Sequence, residues 1–490
     1  MDLLNSTYTV SEIKNKSIKG IKWVGVAEVI VRLIQIISTI ILARLLGSTT
    51  FGTFGICLIF YRFLHAIGDL GFGTALVQKK YIEQKQLDSI LFLCLIFSTI
   101  LCLILYLSVD YVQHFFNSGD LARPLKMLSF IFIIVACSTI LRSLFIRKLN
   151  FDKLTICEVL SIFFNSIIAV FLAYNGFGIW SLIIGLYIEN ILLTILLFIY
   201  ADWIPHLRIS FTHIKEILNF ALNVILARVA YFFNANIDKL LVGKFLGAHY
   251  LGIYVIAYSF IDMPVQRLSK NATKVTFSTL SKFQDNLMEF KETYKTINYY
   301  LSLIIFPVFI GLFIVAPEFT RVFYGPQWEE MITPLRILCF AGIFRSLLIV
   351  SSTTLFAMNK PHLEVKIAFF QGFILCTLII LLLRSGITGV SAAVTSGYLI
   401  GFMVSLSLSL SIVRINFREY IKLISNPFIG AGIIMGIWFV NLFIFKHFIS
   451  DFTFMTVNIA VCGICFITYI SMSDRTIFYK LRKILSNSYE

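Results

Sequence analysis

The sequence predicts an all-α polytopic membrane protein with about 14 transmembrane helices. Its 490 residues are 58% hydrophobic and 14% charged, whereas a soluble globular domain carries about 25% charged residues. The mean hydropathy is +0.88, and apolar segments of about 20 residues, the length that crosses a bilayer, recur along the whole chain. Because an open backbone in hydrocarbon leaves polar groups unpaired, each of these segments should be a helix.

The predicted spans follow one another with short connections, so we expect no extramembrane domain. In chain order the fourteen spans cover approximately residues 18–46, 51–76, 90–109, 125–145, 154–174, 179–200, 217–246, 251–268, 297–315, 332–356, 365–383, 390–412, 427–445 and 452–471.

An internal repeat relates the two halves of the chain at a shift of 200 residues. Arg44–Gly47 aligns with Lys244–Gly247 without a gap, and Gly52 aligns with Gly252. A repeat of this length in a membrane protein indicates a transporter whose substrate path lies between the halves, since rocking one half against the other exposes a central site alternately.

The repeat predicts three parts of the chain. Residues 1–210 would form an N-terminal six-helix lobe, and residues 211–415 would form a second six-helix lobe related to the first by a parallel repeat. Residues 416–490 would add two transmembrane helices and a basic cytoplasmic tail.

The lysines and arginines are distributed unequally across the predicted membrane. Connections on the side of the termini hold 28 of the 41, and the opposite side holds nine. By the positive-inside rule both termini are therefore cytoplasmic. This topology accounts for most of the net charge of +15, so we expect no nucleic-acid partner.

Eight ionisable residues fall in the middle of predicted spans, where each costs about 2.5 to 3.5 kcal/mol unless it faces protein or water. The cations suit an anionic group, because a guanidinium matches phosphate oxygens. They are Arg32, Arg62, Arg228 and Arg345. The carboxylates would tune the arginines or take up a coupling proton, and they are Glu28, Asp69, Glu189 and Asp262. Glu189 has no nearby cation in the sequence, which favours it as the proton carrier.

The same charges have a second interpretation, in which they are internal ion pairs that only hold helices together. The pairs would be Glu28 with Arg32 or Arg228, and Arg62 with Asp69 or Asp262. For Glu189 the corresponding role is a hydrogen bond at a helix interface.

No pattern in the sequence indicates a catalytic, metal or cofactor site. The motifs HExxH and GxSxG and a glycine-rich phosphate loop are missing from credible places. All nine cysteines fall inside predicted spans, and Cys462 and Cys465 form a CxxC without a partner His or Cys. We therefore expect a protein that is not an enzyme, without disulfides, metal or cofactor.

Several short segments resemble bacterial polysaccharide flippases, the exporters of O-antigen, capsule and exopolysaccharide. In the first half they are residues 42–47, 51–55 and 68–78, and in the second half residues 243–247, 252–254 and 277–282. The resemblance covers most of the first 420 residues. These motifs are typical of the multidrug/oligosaccharidyl-lipid/polysaccharide exporter superfamily.

The resemblance implies a core of two six-helix lobes with two extra helices, in the bacterial cytoplasmic (inner) membrane. It implies alternating-access transport of undecaprenyl-diphosphate-linked oligosaccharide from the cytoplasmic to the outer leaflet for cell-surface polysaccharide synthesis. The expected partners are this lipid-linked oligosaccharide, membrane lipid, a coupling H⁺ or Na⁺, and a polysaccharide polymerase.

Three alternatives remain open from the sequence. A multidrug exporter of the same fold would favour carboxylates and aromatic side chains over mid-span arginines. An intramembrane polysaccharide polymerase or ligase would need catalytic groups in a larger outer loop. A membrane scaffold without transport activity would not require the internal charges.

Overall fold

The computed structural model describes residues 10–68, 76, 84–201, 203, 205–206, 228–229, 232–446 and 448–473, and these residues are helical with short connections and no strand. Ten segments of the described chain are long and apolar enough to cross a membrane, and two of these each contain two of the predicted spans. The chain divides into two compact units, Met1–Gly252 and Ile253–Glu490.

The described residues of the first unit form seven helices and the start of an eighth. They are α1 (Val10–Ile67), α2 (Gln84–Phe116), α3 (Ala122–Ser129), α4 (Ile131–Arg147), α5 (Phe151–Tyr174), α6 (Ile179–Tyr200), α7 (232–245) and the first turns of α8 (Gly247–Lys282).

At two places in this unit a glycine separates one apolar span from the next. Gly47 interrupts α1 with φ 72°, and Gly247 has φ 85° at the start of α8. Both values lie in the left-handed region, which glycine adopts at no steric cost. The two glycines are related by the 200-residue shift, so each marks the end of one apolar span and the start of the next.

The second unit continues α8 and adds six helices over its described residues, which end at 473. They are α9 (Leu287–Phe319), α10 (Ile332–Ala357), α11 (Pro361–Leu382), α12 (Gly386–Val413), α13 (Phe417–Phe445) and α14 (Asp451–Ser473). A π-helical turn (Thr320–Tyr324) and a 3-10 helix (Pro326–Met331) connect α9 to α10 and bury Trp328.

Corresponding helices contact each other in both units. In the first unit α4 contacts α2 and α6, and α5 contacts α6. In the second unit α10 contacts α9 and α12, and α11 contacts α12. These are equivalent neighbours under the predicted repeat.

The all-helical fold is confirmed, and helix is found in every one of the fourteen predicted segments over the described residues. In the predicted span 51–76, α1 ends at Ile67 and Leu76 is again helical. Residues 69–75 and 217–227 lie outside the described residues, as does the predicted lobe boundary at 210. The number of crossings, the repeat and the lobe boundaries therefore stay predictions.

One buried polar pair joins α13 to α9, and a second joins α13 to α14. The hydroxyl of Tyr420 donates to Asn298 Oδ1 (3.3 Å), and the amide of Asn441 donates to Asn458 Oδ1 (3.1 Å). Such bonds are worth about 0.6 kcal/mol each between membrane helices. They give α13 and α14 specific neighbours in a part of the chain with few ions.

Candidate functional site

A cluster of polar side chains surrounds Arg345 at mid-span in the second unit. Arg345 Nη1 lies 2.7 Å from Asp262 Oδ1 and donates to the hydroxyl of Tyr258 (3.0 Å). Its guanidinium carbon lies 5.8 Å from the ring centroid of Tyr258 and 5.6 Å from that of Tyr398, within the range of cation–π attraction. One carboxylate and two aromatic rings therefore hold a single guanidinium in place.

Three helices bring these groups together: α8 supplies Tyr258 and Asp262, α10 supplies Arg345, and α12 supplies Tyr398. The two tyrosine hydroxyls lie 3.2 Å apart. Gly342 precedes Arg345 by three residues, and a Cβ at this position would overlap the ring of Phe309 on α9. The glycine thus permits the close packing of α9 and α10 that sets the position of the arginine.

Exposure distinguishes the two members of the ion pair. The side chain of Arg345 is 17% exposed, and that of Asp262 is 37% exposed. Gln266, one turn further along α8, contacts the same Asp262 oxygen at 3.5 Å. The carboxylate is therefore the more accessible partner, so an anion that reaches Arg345 would compete with it.

A second polar cluster lies in the first unit, between α1, α4, α5 and α6. Arg142 Nη2 lies 2.7 Å from Glu158 Oε1, and the amide of Asn165 donates to Glu189 Oε2 (2.5 Å). Glu189 is within electrostatic range of Arg142.

Small and hydroxylated residues complete this cluster. The hydroxyl of Tyr61 donates to Asn190 Oδ1 (3.2 Å). A Cβ at Gly185 would overlap Asn165 Oδ1, so the glycine lets α5 and α6 approach at the level of Asn165. Glu189 therefore makes a hydrogen bond across a helix interface, as its second interpretation expects, and it also has the cation that the sequence did not show.

The other arginines predicted as substrate ligands occupy different surroundings. Arg32 is half-buried and donates to Gln35 Oε1 (3.0 Å), while its buried Nε makes no hydrogen bond among the described residues. Arg228 donates to the carbonyl of Ala66 (2.8 Å) in the last turn of α1, where a cation is favoured by the helix dipole. Arg62 is exposed.

The structure describes three of the four predicted carboxylates. Glu28 is exposed on α1, whereas Asp69 lies outside the described residues. Asp262 pairs with Arg345. The sequence suggested Arg62 as the partner of Asp262, so this pair was not predicted. The structure brings Asp262, Glu189 and Arg345 into clusters, and it leaves their role in substrate binding a prediction.

Sequence reasoning missed Arg142 and Glu158. Both lie within a turn or two of a span end, so they were grouped with the connections rather than with the mid-span charges. Their spacing of 16 residues across the α4–α5 connection is the signal that could have paired them, because antiparallel neighbours with a short loop bring such positions together.

A close backbone contact joins the start of the C-terminal arm of α1 (48–67) to the start of α8. A Cβ on Gly52 would overlap the carbonyl of Ala248, and a Cβ on Gly252 would overlap the carbonyl of Ser48. Residues 48 and 52 correspond to 248 and 252 under the 200-residue shift, so the contact is reciprocal. Ser48 Oγ also lies 2.7 Å from His249 Nδ1.

Comparison with known proteins places the chain in a family. The model of the polysaccharide biosynthesis protein family matches residues 41–333. The lipopolysaccharide biosynthesis protein WzxC of Escherichia coli is 25% identical over 85% of this chain and 85% of its own length. The teichuronic acid biosynthesis protein TuaB of Bacillus subtilis is 25% identical over 93% of this chain and 95% of its own length. The succinoglycan biosynthesis transport protein ExoT of Rhizobium meliloti is 23% identical over 60% of each chain.

Solved structures share the fold. An inward closed conformation of the lipid II flippase MurJ superposes with a TM-score of 0.77 at 17% identity, over 93% of this chain and 99% of that chain. An inward-facing multidrug transporter of the MOP superfamily superposes with a TM-score of 0.62 at 14% identity, over 78% of this chain and 94% of that chain. The chain therefore belongs to the polysaccharide biosynthesis protein family and has the fold of the multidrug/oligosaccharidyl-lipid/polysaccharide exporter superfamily.

Proposed function

We propose that this protein is an alternating-access flippase that moves undecaprenyl-diphosphate-linked oligosaccharide from the cytoplasmic to the outer leaflet. Family membership supports transport in polysaccharide biosynthesis, and the fold supports a mechanism with alternating access. The mid-span arginines support an anionic cargo, since a diphosphate needs cations inside the membrane.

The observation that carries the proposal is the cluster at Arg345. The guanidinium is held by Asp262, Tyr258 and Tyr398, with the carboxylate as the more exposed ion partner. In the empty protein Asp262 balances the charge of Arg345. When a diphosphate arrives, its oxygens take the place of the carboxylate on the forked donors of the arginine. The two tyrosines keep the guanidinium oriented during this exchange.

The direction of transport and the driving force are part of the proposal. The excess of lysine and arginine on the side of the termini supports two cytoplasmic termini in the cytoplasmic membrane. Glu189, with Asn165 and Arg142 beside it, is the residue that would carry a coupling proton. The reaction makes and breaks no covalent bond, and a polysaccharide polymerase would use the delivered substrate.

Flipping in proteoliposomes tests the proposal. Purified protein is reconstituted with undecaprenyl-diphosphate-linked oligosaccharide on one leaflet, and an impermeant glycan-oxidising reagent reports its arrival on the other. Arg345→Gln should lower the flipping rate about tenfold or more, because a hydrogen bond to a charged group contributes about 1.5 to 3 kcal/mol. Arg384→Gln removes an exposed arginine outside both clusters and should leave the rate unchanged.

A charge swap separates substrate binding from a purely structural ion pair. The double variant Asp262→Arg with Arg345→Asp keeps one cation and one anion but moves the guanidinium from α10 to α8. If the pair only joined helices, the swap would restore both the melting temperature and flipping. We expect it to restore the melting temperature alone.

Two further readouts separate the alternatives. An exporter of cationic drugs would move a cationic dye out of cells and would not flip the lipid-linked glycan. An enzyme would change the mass of the recovered lipid-linked oligosaccharide, whereas a flippase returns it unchanged.

A further inference from the structure

A polar cavity of about 530 Å³ opens in the first unit, and no residue of either charge cluster lines it. Thr49 and Thr53 line it from the start of the C-terminal arm of α1, Asp120 from the connection into α3, Arg123 from the first turn of α3, and Trp180 from the first turn of α6. The charge distribution assigns all three of these helix ends to the outer side of the membrane. We call this feature the outer cavity.

The lining combines one aromatic face with several hydrogen-bonding groups. Trp180 offers a large apolar ring with an N–H donor, Asp120 offers acceptors, and Arg123 offers a fork of donors. Thr53 donates its hydroxyl to the carbonyl of Thr49 (3.1 Å) and keeps lone pairs as acceptors. Cavities of 300 to 1,000 Å³ with a few convergent polar groups are typical of small-molecule sites.

Asp120 and Arg123 are both exposed, and their side chains make no hydrogen bond or ion pair with the described residues. They lie three residues apart without pairing, so both remain available to a ligand.

The connection that carries Asp120 and leads into α3, where Arg123 lies, is held in one conformation. Its backbone bonds include Ser118 N–H to the carbonyl of Gln113 (3.3 Å) and Leu121 N–H to the carbonyl of Ser118 (3.3 Å). Leu121 is fully buried. Lys126 Nζ lies 3.1 Å from Asp110 Oδ1 across the same connection. The backbone that carries these polar groups is thus pre-organised, which lowers the part of the entropic cost of binding that comes from ordering the backbone.

We propose that the outer cavity binds a sugar ring, and this inference rests on the proposed flippase function. A pyranose has apolar C–H faces that match Trp180 and a belt of hydroxyls that match a carboxylate, a guanidinium and threonine hydroxyls. One acidic and one basic side chain make the lining neutral overall. A neutral polyol satisfies both of them, whereas a phosphate group would be repelled by Asp120.

The location gives the site a role in transport. Because the outer cavity lies on the outer side and shares no lining residue with the Arg345 cluster, it holds the glycan end of the cargo rather than the diphosphate. Binding of a sugar there favours release of the glycan toward the outer leaflet. The site adds specificity for the glycan to a mechanism otherwise based on the charged headgroup.

Saturation-transfer NMR with the full-length protein in nanodiscs tests this proposal. The probes are the methyl glycosides of glucose, galactose, rhamnose, N-acetylglucosamine and glucuronic acid, with inorganic diphosphate as the anionic comparison. At least one glycoside should show saturation of its ring C–H protons. Trp180→Ala should weaken its binding about tenfold, the effect of removing an aromatic anchor, and Trp180→Phe should restore part of it.

Gly119 provides a variant that fills the cavity without disturbing the fold. A Cβ at Gly119 meets nothing within 4 Å, so Gly119→Phe should place a ring at the rim and block glycoside binding while the melting temperature is kept. Tyr174→Ala is the matched control, because this tyrosine is 80% exposed at the outer end of α5 and does not line the cavity.

The outcomes are distinct from those of the flippase test. Absence of any glycoside signal that depends on Trp180 overturns the proposal, even if the protein flips its cargo. Binding of diphosphate that is lost in Arg123→Gln, without glycoside binding, assigns the outer cavity to a phosphate and also overturns it. Glycoside binding in a protein that fails to flip supports the sugar site and contradicts the proposed function.

Discussion

Gly52→Ala should open the contact between α1 and the start of α8. The new methyl group would overlap the carbonyl of Ala248. Both groups are fixed to helical backbone, so neither can rotate away, and the two helix starts must separate.

The energetic cost of this overlap can be obtained by comparing two glycines. Overpacking costs about 1 to 3 kcal/mol, while alanine gains about 1 kcal/mol over glycine in a helix. At Gly436 on α13 a Cβ meets nothing within 4 Å, so Gly436→Ala has only the gain. The difference between Gly52→Ala and Gly436→Ala therefore isolates the overlap at about 1 to 3 kcal/mol.

A cysteine pair measures the contact directly. Ser48 Oγ and His249 Nδ1 are 2.7 Å apart, so Ser48→Cys with His249→Cys should form a disulfide in a protein whose native cysteines have been replaced. An energy of 1 to 3 kcal/mol corresponds to about a 5- to 150-fold change in the closed population. Gly52→Ala should slow disulfide formation in that range, and Gly436→Ala should not change it. If Gly52→Ala cross-links as fast as the parent, the reasoning from backbone overlap is refuted.

Three other changes test buried polar groups by thermal unfolding and transport. Glu318→Gln should lower the free energy of unfolding by about 3 kcal/mol or more, because the nearly buried carboxylate pairs with Lys446 (2.5 Å). Glu289→Gln, at an exposed site, should have little effect. Equal effects of the two changes would contradict the prediction. Tyr420→Phe should cost about 0.6 kcal/mol by removing the hydrogen bond to Asn298, and an unchanged melting temperature would argue against that bond. Glu189→Gln keeps an acceptor for Asn165, so it should preserve the melting temperature while abolishing any response of flipping to a pH gradient; a retained response would remove Glu189 as the proton carrier.

The positions of the helices could be predicted because their cause is local. A run of about 20 apolar residues must form a helix in hydrocarbon wherever it occurs, and the span 179–200 coincides with α6. Helix ends in water were predicted less well, since no hydrophobic boundary limits them there. The eighth predicted span ends near residue 268, where the apolar run stops, while the helix itself continues to Lys282.

For the polar clusters the sequence could indicate candidate residues but not which of them pair. Spacing along a helix shows which charges share a face, but Asp262 and Arg345 are 83 residues apart and meet because α8, α10 and α12 pack together. The sequence offered Asp262 a partner at the symmetry-related position instead. Arg142 and Glu158 were missed for a similar reason, since each looked like an end-of-span charge until α4 and α5 were placed side by side.

The reciprocal contact of residues 48 and 52 with residues 252 and 248 is the pattern that two identical subunits make across a two-fold axis. In a homodimer, any side chain introduced at such a contact must occur twice. A single chain that supplies both sides is free of this constraint. His249 stands where the first half has Thr49, so a group that can bind a proton is present at one of the two equivalent contacts and not at the other. Covalent joining of the halves thus allows this contact to be chemically asymmetric while its backbone geometry remains symmetric.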